Sequence, residues 1–470
     1  MVYKENNFKT SIVIVTHNQL EYSQQCLNSI IEFTPAGSYE IILVDNNSED
    51  GTTDYLKSFR NQNKNIDMKL IFNKSNLGFP KGCNQGIVAS SFENILFLNN
   101  DTVVTHNWLK NLLICINSSE KIGAAGPVTN YCSNYQAINT NYKSMEEMQL
   151  FARQYNISDE NLWEQRLNLV GYCLLLKRKV LDRVGYFDED FSPGNYEDDD
   201  LSMRIIKAGY KLILCRDTFI HHFGSRSFKT NCAEFSELLK NNSKKFENKW
   251  GFNKDYSFYI RDDLISFIPR NNNKKLNFLE IGCACGATLL KLKNIFKNAS
   301  LYGVELNPAA AGIASLFAET IIGDVENVKF DYPQKYFNYI LLPDVLEHLK
   351  DPWSFLAKIR GYLDDDGSIL SSIPNVMHIS VIRELFCGVW QYKDAGILDK
   401  THLRFFTLSE IVKMFALNKY KVIKISSNRL SLSEDENLLI SNLENSCNID
   451  KNIIGQMKNY QYILEAKKQL

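Results

Sequence analysis

Paired cysteines, a long apolar run and a surplus of charge of either sign are all missing from this sequence, and each absence excludes a class of protein. The 11 cysteines are an odd number scattered without paired spacing, which fits buried thiols in a reducing compartment better than a disulfide framework. Cys283 and Cys285 stand close together, but a lone Cys-x-Cys lacks the further ligands of a zinc site. No run approaches the roughly 18 apolar residues of a membrane span, and the start, MVYKENNFKTSIVIV, has no apolar core of a secretory leader. A cytoplasmic location is therefore the expectation. Lys and Arg number 53 against 54 Asp and Glu, so no overall field favours nucleic acid or an anionic membrane as partner.

What is present is an ordinary globular composition, 44% hydrophobic and 23% charged, over 470 residues. That length predicts two domains of roughly 200 to 250 residues. The first half alternates strand and helix signals. Strand signals at Ile12–Val15, Glu40–Val44, Met68–Phe72 and Ile95–Leu98 each break into polar residues, and helical spacing follows, as in Leu20–Phe33. Such alternation predicts a mostly parallel, doubly wound sheet whose ligands sit outside the carboxyl ends of the strands. Thr16, Asn18, Asp45 and Asp101 would gather along that edge. Each cluster alone reads as a turn; their repetition after strands is what points to a site. The stretch NKSNLGFPKGCNQG adds Asn76, Gly78, Gly82, Asn84 and Gly86 around a turn before a helix.

Further on, Glu197–Asp200 places four acids at a helix start. They suit the helix dipole, and one of them in a cleft could equally serve as a general base. His221 and His222 follow the strand Lys211–Cys215 and precede Phe223, Gly224 and Ser225.

Taken in this order, these motifs resemble the family 2 inverting glycosyltransferases of GT-A fold, closest to rhamnosyltransferase-like members. The likeness covers roughly Lys9–Ser227 through T-x-N, DNNSxDGT, NxGFxxGxNxG, NND, an ED helix start and HxGS. It implies that Thr16, Asn18 and Asp45 hold the base and ribose of a nucleotide-sugar donor, with Asn76, Gly78 and Asn84 near the ribose and diphosphate. Asn100 is counted with them. Asp101 would be the metal-binding acid of a DxD-type motif in which Asn99 replaces the first acid. His222 would be the second protein ligand, with His221 as the alternative. Asp198 would be the base that activates the acceptor hydroxyl. The same resemblance implies dTDP-rhamnose or a UDP-sugar as donor and a glycan or glycoprotein as acceptor.

A cation is needed on physical grounds as well, because the departing diphosphate gains negative charge. One unit pair at about 4 Å is worth about 4 kcal/mol at an effective dielectric near 20, so Mg or Mn fits the task better than Asp101 alone.

Phe228–Asn253 is rich in Lys, Asn, Glu and Ser with apolar residues at helical intervals. It reads as a helical connector, since it lacks Pro and long Gly/Ser runs. The expected limits are a first domain over 1–230, a connector over 231–270 and a second domain over 271–470.

The second half opens on a strand, Leu276–Ile281, with Glu280 near its end, then the tight turn GCACG containing Gly282 and Gly286. Strands at Ser300–Val304, Thr320–Ile322 and Tyr339–Leu342 lead to Glu305, to Gly323 and Asp324, and to Pro343 and Asp344. Glu305 lies about 20 residues past the turn, the position of a ribose-binding acid. A nicotinamide dinucleotide is the alternative cofactor, but the spaced third glycine of GxGxxG is missing. With DVLEHLKDPWSFL, LDDDGSILSSIPN and DKTHLRFFTLSEI, the half resembles the class I S-adenosylmethionine-dependent methyltransferases attached to surface-glycan glycosyltransferases. The likeness covers about Lys274–Lys468, with NYQYILEAKK as the last antiparallel strand.

That resemblance implies that Glu280, Gly282 and Gly286 approach the methionine part of S-adenosylmethionine. Glu305 would hold the ribose, Asp324 and Val325 the adenine, and Asp344 would stand where cofactor and acceptor meet. A sugar hydroxyl needs a base for methylation, and His348 and His402 are the candidates ahead of His378. Asp364–Asp366 reads as a solvated turn. The whole is expected to be an α/β bifunctional enzyme, with a GT-A mixed sheet followed by a Rossmann-like methyltransferase. The alternatives are a glycan-binding scaffold with only the methyltransferase active, or methylation of protein.

Overall fold

The computed structural model describes residues 9–224, 232–270, 275–446 and 450–469; Ser225, the last residue of the HxGS motif, lies outside them. The chain divides into two compact units, Met1–Lys254 and Asp255–Leu470.

The strands of the first unit are β1 (Thr10–Thr16), β2 (Tyr39–Asp45), β3 (Asp67–Phe72), β4 (Asn94–Leu98), β5 (Thr102–Val103), β6 (Ile122–Val128), β7 (Trp163–Arg166), β8 (Cys173–Lys177), β9 (Lys211–Phe219) and β10 (His221–His222). Eight of them form one mixed sheet in the order β3-β2-β1-β4-β8-β6-β9-β7, in which β8 and β7 run against the rest. The carboxyl ends of β1, β2, β4 and β9 therefore share one edge with the beginning of β8. β5 and β10 pair separately, antiparallel, with His222 opposite Thr102. Strands β2 and β4 are buried at every position, as expected where both faces of a sheet are covered. β6, IGAAGPV, is also wholly buried, yet its small residues and proline carry little strand signal.

The helix Phe79–Ala89 lies tight against β1 because of two glycines. A Cβ on Gly82 would meet Val15 Cγ1 at 2.8 Å, and one on Gly86 would meet Val13 Cγ1 at 2.1 Å. The stretch read as a connector supplies the helix Cys232–Trp250, which packs on the first unit. Its buried Asn242 amide donates to the carbonyls of Phe191, Gly194 and Asn195.

The second unit contains β11 (Asn277–Ile281), β12 (Ser300–Glu305), β13 (Glu319–Ile322), β14 (Phe337–Pro343), β15 (Leu363–Pro374), β16 (Tyr420–Asn428) and β17 (Gln461–Lys468). They form one sheet in the order β13-β12-β11-β14-β15-β17-β16, parallel except for β17. The last strand is thus inserted between β15 and β16. The reading of Asp364–Asp366 as a turn is corrected: these acids lie within β15, where their side chains point out along an irregular start of the pairing with β14. Among the described residues no helix is long and apolar enough to cross a membrane.

Candidate functional sites

At the carboxyl edge of the first sheet, β1 and β2 end side by side, with Thr16 opposite Asp45. The Asp45 carboxylate accepts from Thr16 Oγ1 (3.0 Å), Ser48 Oγ (2.5 Å) and N (3.2 Å), and Thr53 Oγ1 (2.9 Å). It is buried, and its acceptor capacity is spent on shaping the loop. Asn18, in the left-handed region at φ 57°, accepts from the Glu49 backbone N–H through its Oδ1 and donates its backbone N–H to Ser48 Oγ. Asn76 accepts from Gly78 N, while Gly78 (φ 84°) leaves no room for a Cβ against Pro193. Asn84 has its side chain occupied within the protein. Its amide exchanges hydrogen bonds with the backbone of Phe187 and so ties the helix to a distant acidic loop.

Asn100 donates to Ser23 Oγ, and beside it Asp101 is nearly buried, at 7% exposure. The small β5/β10 sheet brings His222 Nε2 to 3.2 Å from Asp101 Oδ1. That nitrogen is buried and makes no hydrogen bond, while Nδ1 lies 2.9 Å from the Tyr131 carbonyl and is therefore its protonated side. The ring stacks on Tyr172, centroids 5.1 Å apart. Strand alternation turns His221 the other way. Its Nδ1 meets Tyr142 Oη at 2.7 Å, and burial pushes its pKa down to about 4.

The four acids of the helix start part company. Asp200 is held by Arg204, Lys249 and Trp250, and Asp199 by Lys254 and Asn168. Glu197 is buried, and that burial raises its pKa well above the carboxylate range. Asp198 alone is partly open. It accepts from Gly171 N at 2.8 Å; burial, then the Asp199 charge, lift its pKa to about 6. Gly171 precedes Tyr172, whose carbonyl accepts from Asn99 N and whose ring carries His222. One short segment thus joins the candidate base to the candidate metal ligands.

In the second unit a cavity of about 240 Å³ opens at the carboxyl end of β11. Its floor is the turn with positive φ at Gly282 (69°), Ala284 (47°) and Gly286 (77°). Glu305 accepts from Ala284 N at 2.7 Å and Asn307 N at 2.8 Å, which places the β12 acid against that turn. Glu280 lines the cavity with one carboxyl oxygen buried and unbonded, and burial raises its pKa to about 8. Asp344, at φ 51°, also lines it and is held by Arg261 (2.8 Å), Ser372 (2.9 Å) and Gln461. Asp324 caps its own turn through Glu326 N and Asn327 Nδ2, and Val325 beside it is buried. His348 and His402 meet edge to face, centroids 4.7 Å apart.

Tyr256, Tyr259, Arg261 and Thr288 also line the cavity and escaped the sequence reading. Three of them lie in the stretch taken as a connector. The aromatic and basic run DYSFYIR was the available signal.

Comparison with known proteins divides the chain in the same way. Residues 11–185 match the family model described as glycosyl transferase family 2, and residues 252–425 match one described as a methyltransferase domain. The glycosyltransferase AglE of Haloferax volcanii is 27% identical over 231 residues, 49% of this chain and 69% of its own. The uncharacterized glycosyltransferase YfnE of Bacillus subtilis is 22% identical over 276 residues, 50% of this chain and 68% of its own. Among solved structures, a mannosyltransferase of Pyrobaculum calidifontis in complex with GDP-Man and Mn2+ is 18% identical over 51% of this chain and 64% of its own, with TM-score 0.40. A SAM-dependent methyltransferase of Archaeoglobus fulgidus is 18% identical over 48% of this chain and 99% of its own, with TM-score 0.33.

Proposed function

We propose that this chain, a family 2 glycosyltransferase domain fused to a class I methyltransferase domain, adds a sugar to a surface glycan and O-methylates a sugar of that glycan. Rhamnose, from dTDP-rhamnose, is the donor sugar that the motif set favours, and the acceptor is a lipid-linked glycan, a polysaccharide or a glycosylated protein. The observation that carries the reading is the Asp198–Gly171–Tyr172–His222–Asp101 chain of contacts at one sheet edge.

Asp198 takes the acceptor hydroxyl proton as the new oxygen–carbon bond forms. The bond from the anomeric carbon to the diphosphate breaks on the opposite face, so configuration inverts. Asp101 and His222 fit a divalent cation: the unbonded Nε2 faces a carboxylate, and Nδ1 is fixed by a carbonyl, as is usual in metal-ligating histidines. Such an ion, Mg or Mn, supplies positive charge at the leaving diphosphate. Thr16, Asn18, Asn76, Gly78 and Asn100 shape the donor side, and Asp45 and Asn84 do so from within the protein.

In the second domain the Gly282–Gly286 turn, Glu280, Glu305 and Arg261 would hold S-adenosylmethionine, with Asp324 and Val325 at its adenine end. The group supplies a methyl on a sulfonium, and transfer needs in-line alignment with the acceptor oxygen. His348 and His402, each with Nε2 free of the contacts that fix Nδ1, stand ready to accept the hydroxyl proton. The test is a screen of nucleotide sugars for hydrolysis and transfer with Mn or Mg. Turnover of one donor only with metal supports the reading; no turnover of any donor beside intact methyl transfer makes the first half a glycan-binding scaffold.

A further inference from the structure

The carboxyl group of Glu347 is buried, at 1% exposure, and neither of its oxygens meets a hydrogen-bond donor. A carboxylate in that state is costly unless a proton or a cation compensates it. Two imidazoles stand over it. One ligand atom from each of Glu347, His348 and His402 lies within 4.8 Å of the other two, and no other such group of three is found among the described residues.

Each ring has its Nδ1 engaged by a backbone carbonyl. His402 Nδ1 is 2.9 Å from the Ile397 carbonyl, and His348 Nδ1 is 3.3 Å from that of Thr401. A carbonyl only accepts, so each Nδ1 carries the proton and each Nε2 keeps a lone pair. The Thr401 hydroxyl, which donates to Asp399 at 2.6 Å, also offers its oxygen to His348 Nδ1 at 3.2 Å. Fixing the far nitrogen through a carbonyl or carboxylate is how proteins orient metal-binding histidines. The backbone holds the two segments together as well, since Leu403 N and Arg404 N both donate to the Glu347 carbonyl, at 2.8 and 3.0 Å. Asp344, three residues earlier and lining the cofactor cavity, is not counted as a ligand, because Arg261, Ser372 and Gln461 occupy its carboxylate.

We infer that Glu347, His348 and His402 form a binding site for a divalent first-row cation, built on the short turn that follows the cavity-lining Asp344, with open positions for hydroxyl oxygens of the sugar acceptor. Two imidazoles suit Zn2+, and a single carboxylate with open oxygen positions suits Mn2+. The cation would orient the acceptor and acidify the hydroxyl bound to it; in that state the two histidines serve as ligands in place of accepting the proton themselves, and the proton leaves to solvent. That role rests on the proposed methyl transfer; binding of the ion does not.

The test uses the full chain carrying Asp101→Asn, so that the site in the first unit is disabled, and titrates it with Mn2+ and separately with Zn2+ by equilibrium dialysis. One ion per chain is expected. Glu347→Gln and His402→Gln, each added to that background, should weaken binding at least about tenfold while S-adenosylmethionine still binds and so reports an intact cavity. His348→Gln gives a third reading should either variant fail that check. Undiminished cation binding in folded variants, or none in the Asp101→Asn parent, overturns the site. A chain that binds the ion at these residues but methylates no sugar overturns the proposed function and leaves the site standing.

Discussion

Asp198→Asn should retain donor binding and lower sugar transfer by about 10²–10⁴, the usual worth of a general base; a rate assay beside a donor titration checks both. Since the base must be ionised, the wild-type rate should rise with pH through about 6 and then level off. The same shift has a cost in stability. Between the ordinary aspartate range, about 4, and about 6, the folded chain holds this proton more tightly than the unfolded chain. Stability from this group is therefore greatest at low pH and lost as pH rises through that window. Asp198→Asn should melt at the same or a higher temperature than wild type at pH 8, and the advantage should vanish below about pH 4. His222→Ala should cost metal-dependent donor hydrolysis at least about a hundredfold, on the scale of losing one stabilising group at developing charge. The hydrolysis rate with and without Mn is the measurement. Residue identity was legible in the sequence here, but side-chain employment was not. Asp45 at a strand end and Asp198 at a helix start are both acids in polar clusters, and only the fold shows that the first is saturated by Thr16, Ser48 and Thr53 while the second keeps an open face.

At the scale of elements, the spacing Gly82-x-x-x-Gly86 is a packing device. Gly86→Ala would put a methyl 2.1 Å from the buried Val13. Overpacking of that kind costs about 1–3 kcal/mol and outweighs the roughly 1 kcal/mol that alanine gains over glycine in a helix. Gly312, in the helix Pro308–Ala314, has nothing within 4 Å of a built Cβ, so Gly312→Ala should stabilise by up to about 1 kcal/mol. Thermal or urea unfolding of the two variants should therefore show opposite signs. β-Branched and apolar strands such as Ile12–Val15 and Ile95–Leu98 announced themselves by composition. β6 did not, being built of small residues, and the two-residue strands β5 and β10 are too short for any periodicity. Yet that pair is what sets His222 beside Asp101. The insertion of β17 between β15 and β16 is likewise a matter of tertiary pairing, although the antiparallel last strand itself was expected.

At the scale of the molecule, each unit carries its own sheet, its own core and its own acid-lined edge. The residues that complete the second cavity, Tyr256, Tyr259 and Arg261, come from before its first strand, where a helical, Lys- and Asn-rich composition suggested only a connector. If both halves serve one glycan, tethering raises the local concentration of the shared intermediate to roughly millimolar.

The central claim is that one chain houses two separate transfer chemistries. The most direct measurement assays sugar transfer and S-adenosylmethionine-dependent methylation side by side in full-length Asp198→Asn and Glu305→Ala proteins, each confirmed as folded by its melting curve. We predict that Asp198→Asn loses sugar transfer and keeps methylation of a preformed glycan, and that Glu305→Ala does the reverse. Loss of both activities from either folded variant, or of neither from both, would contradict the account.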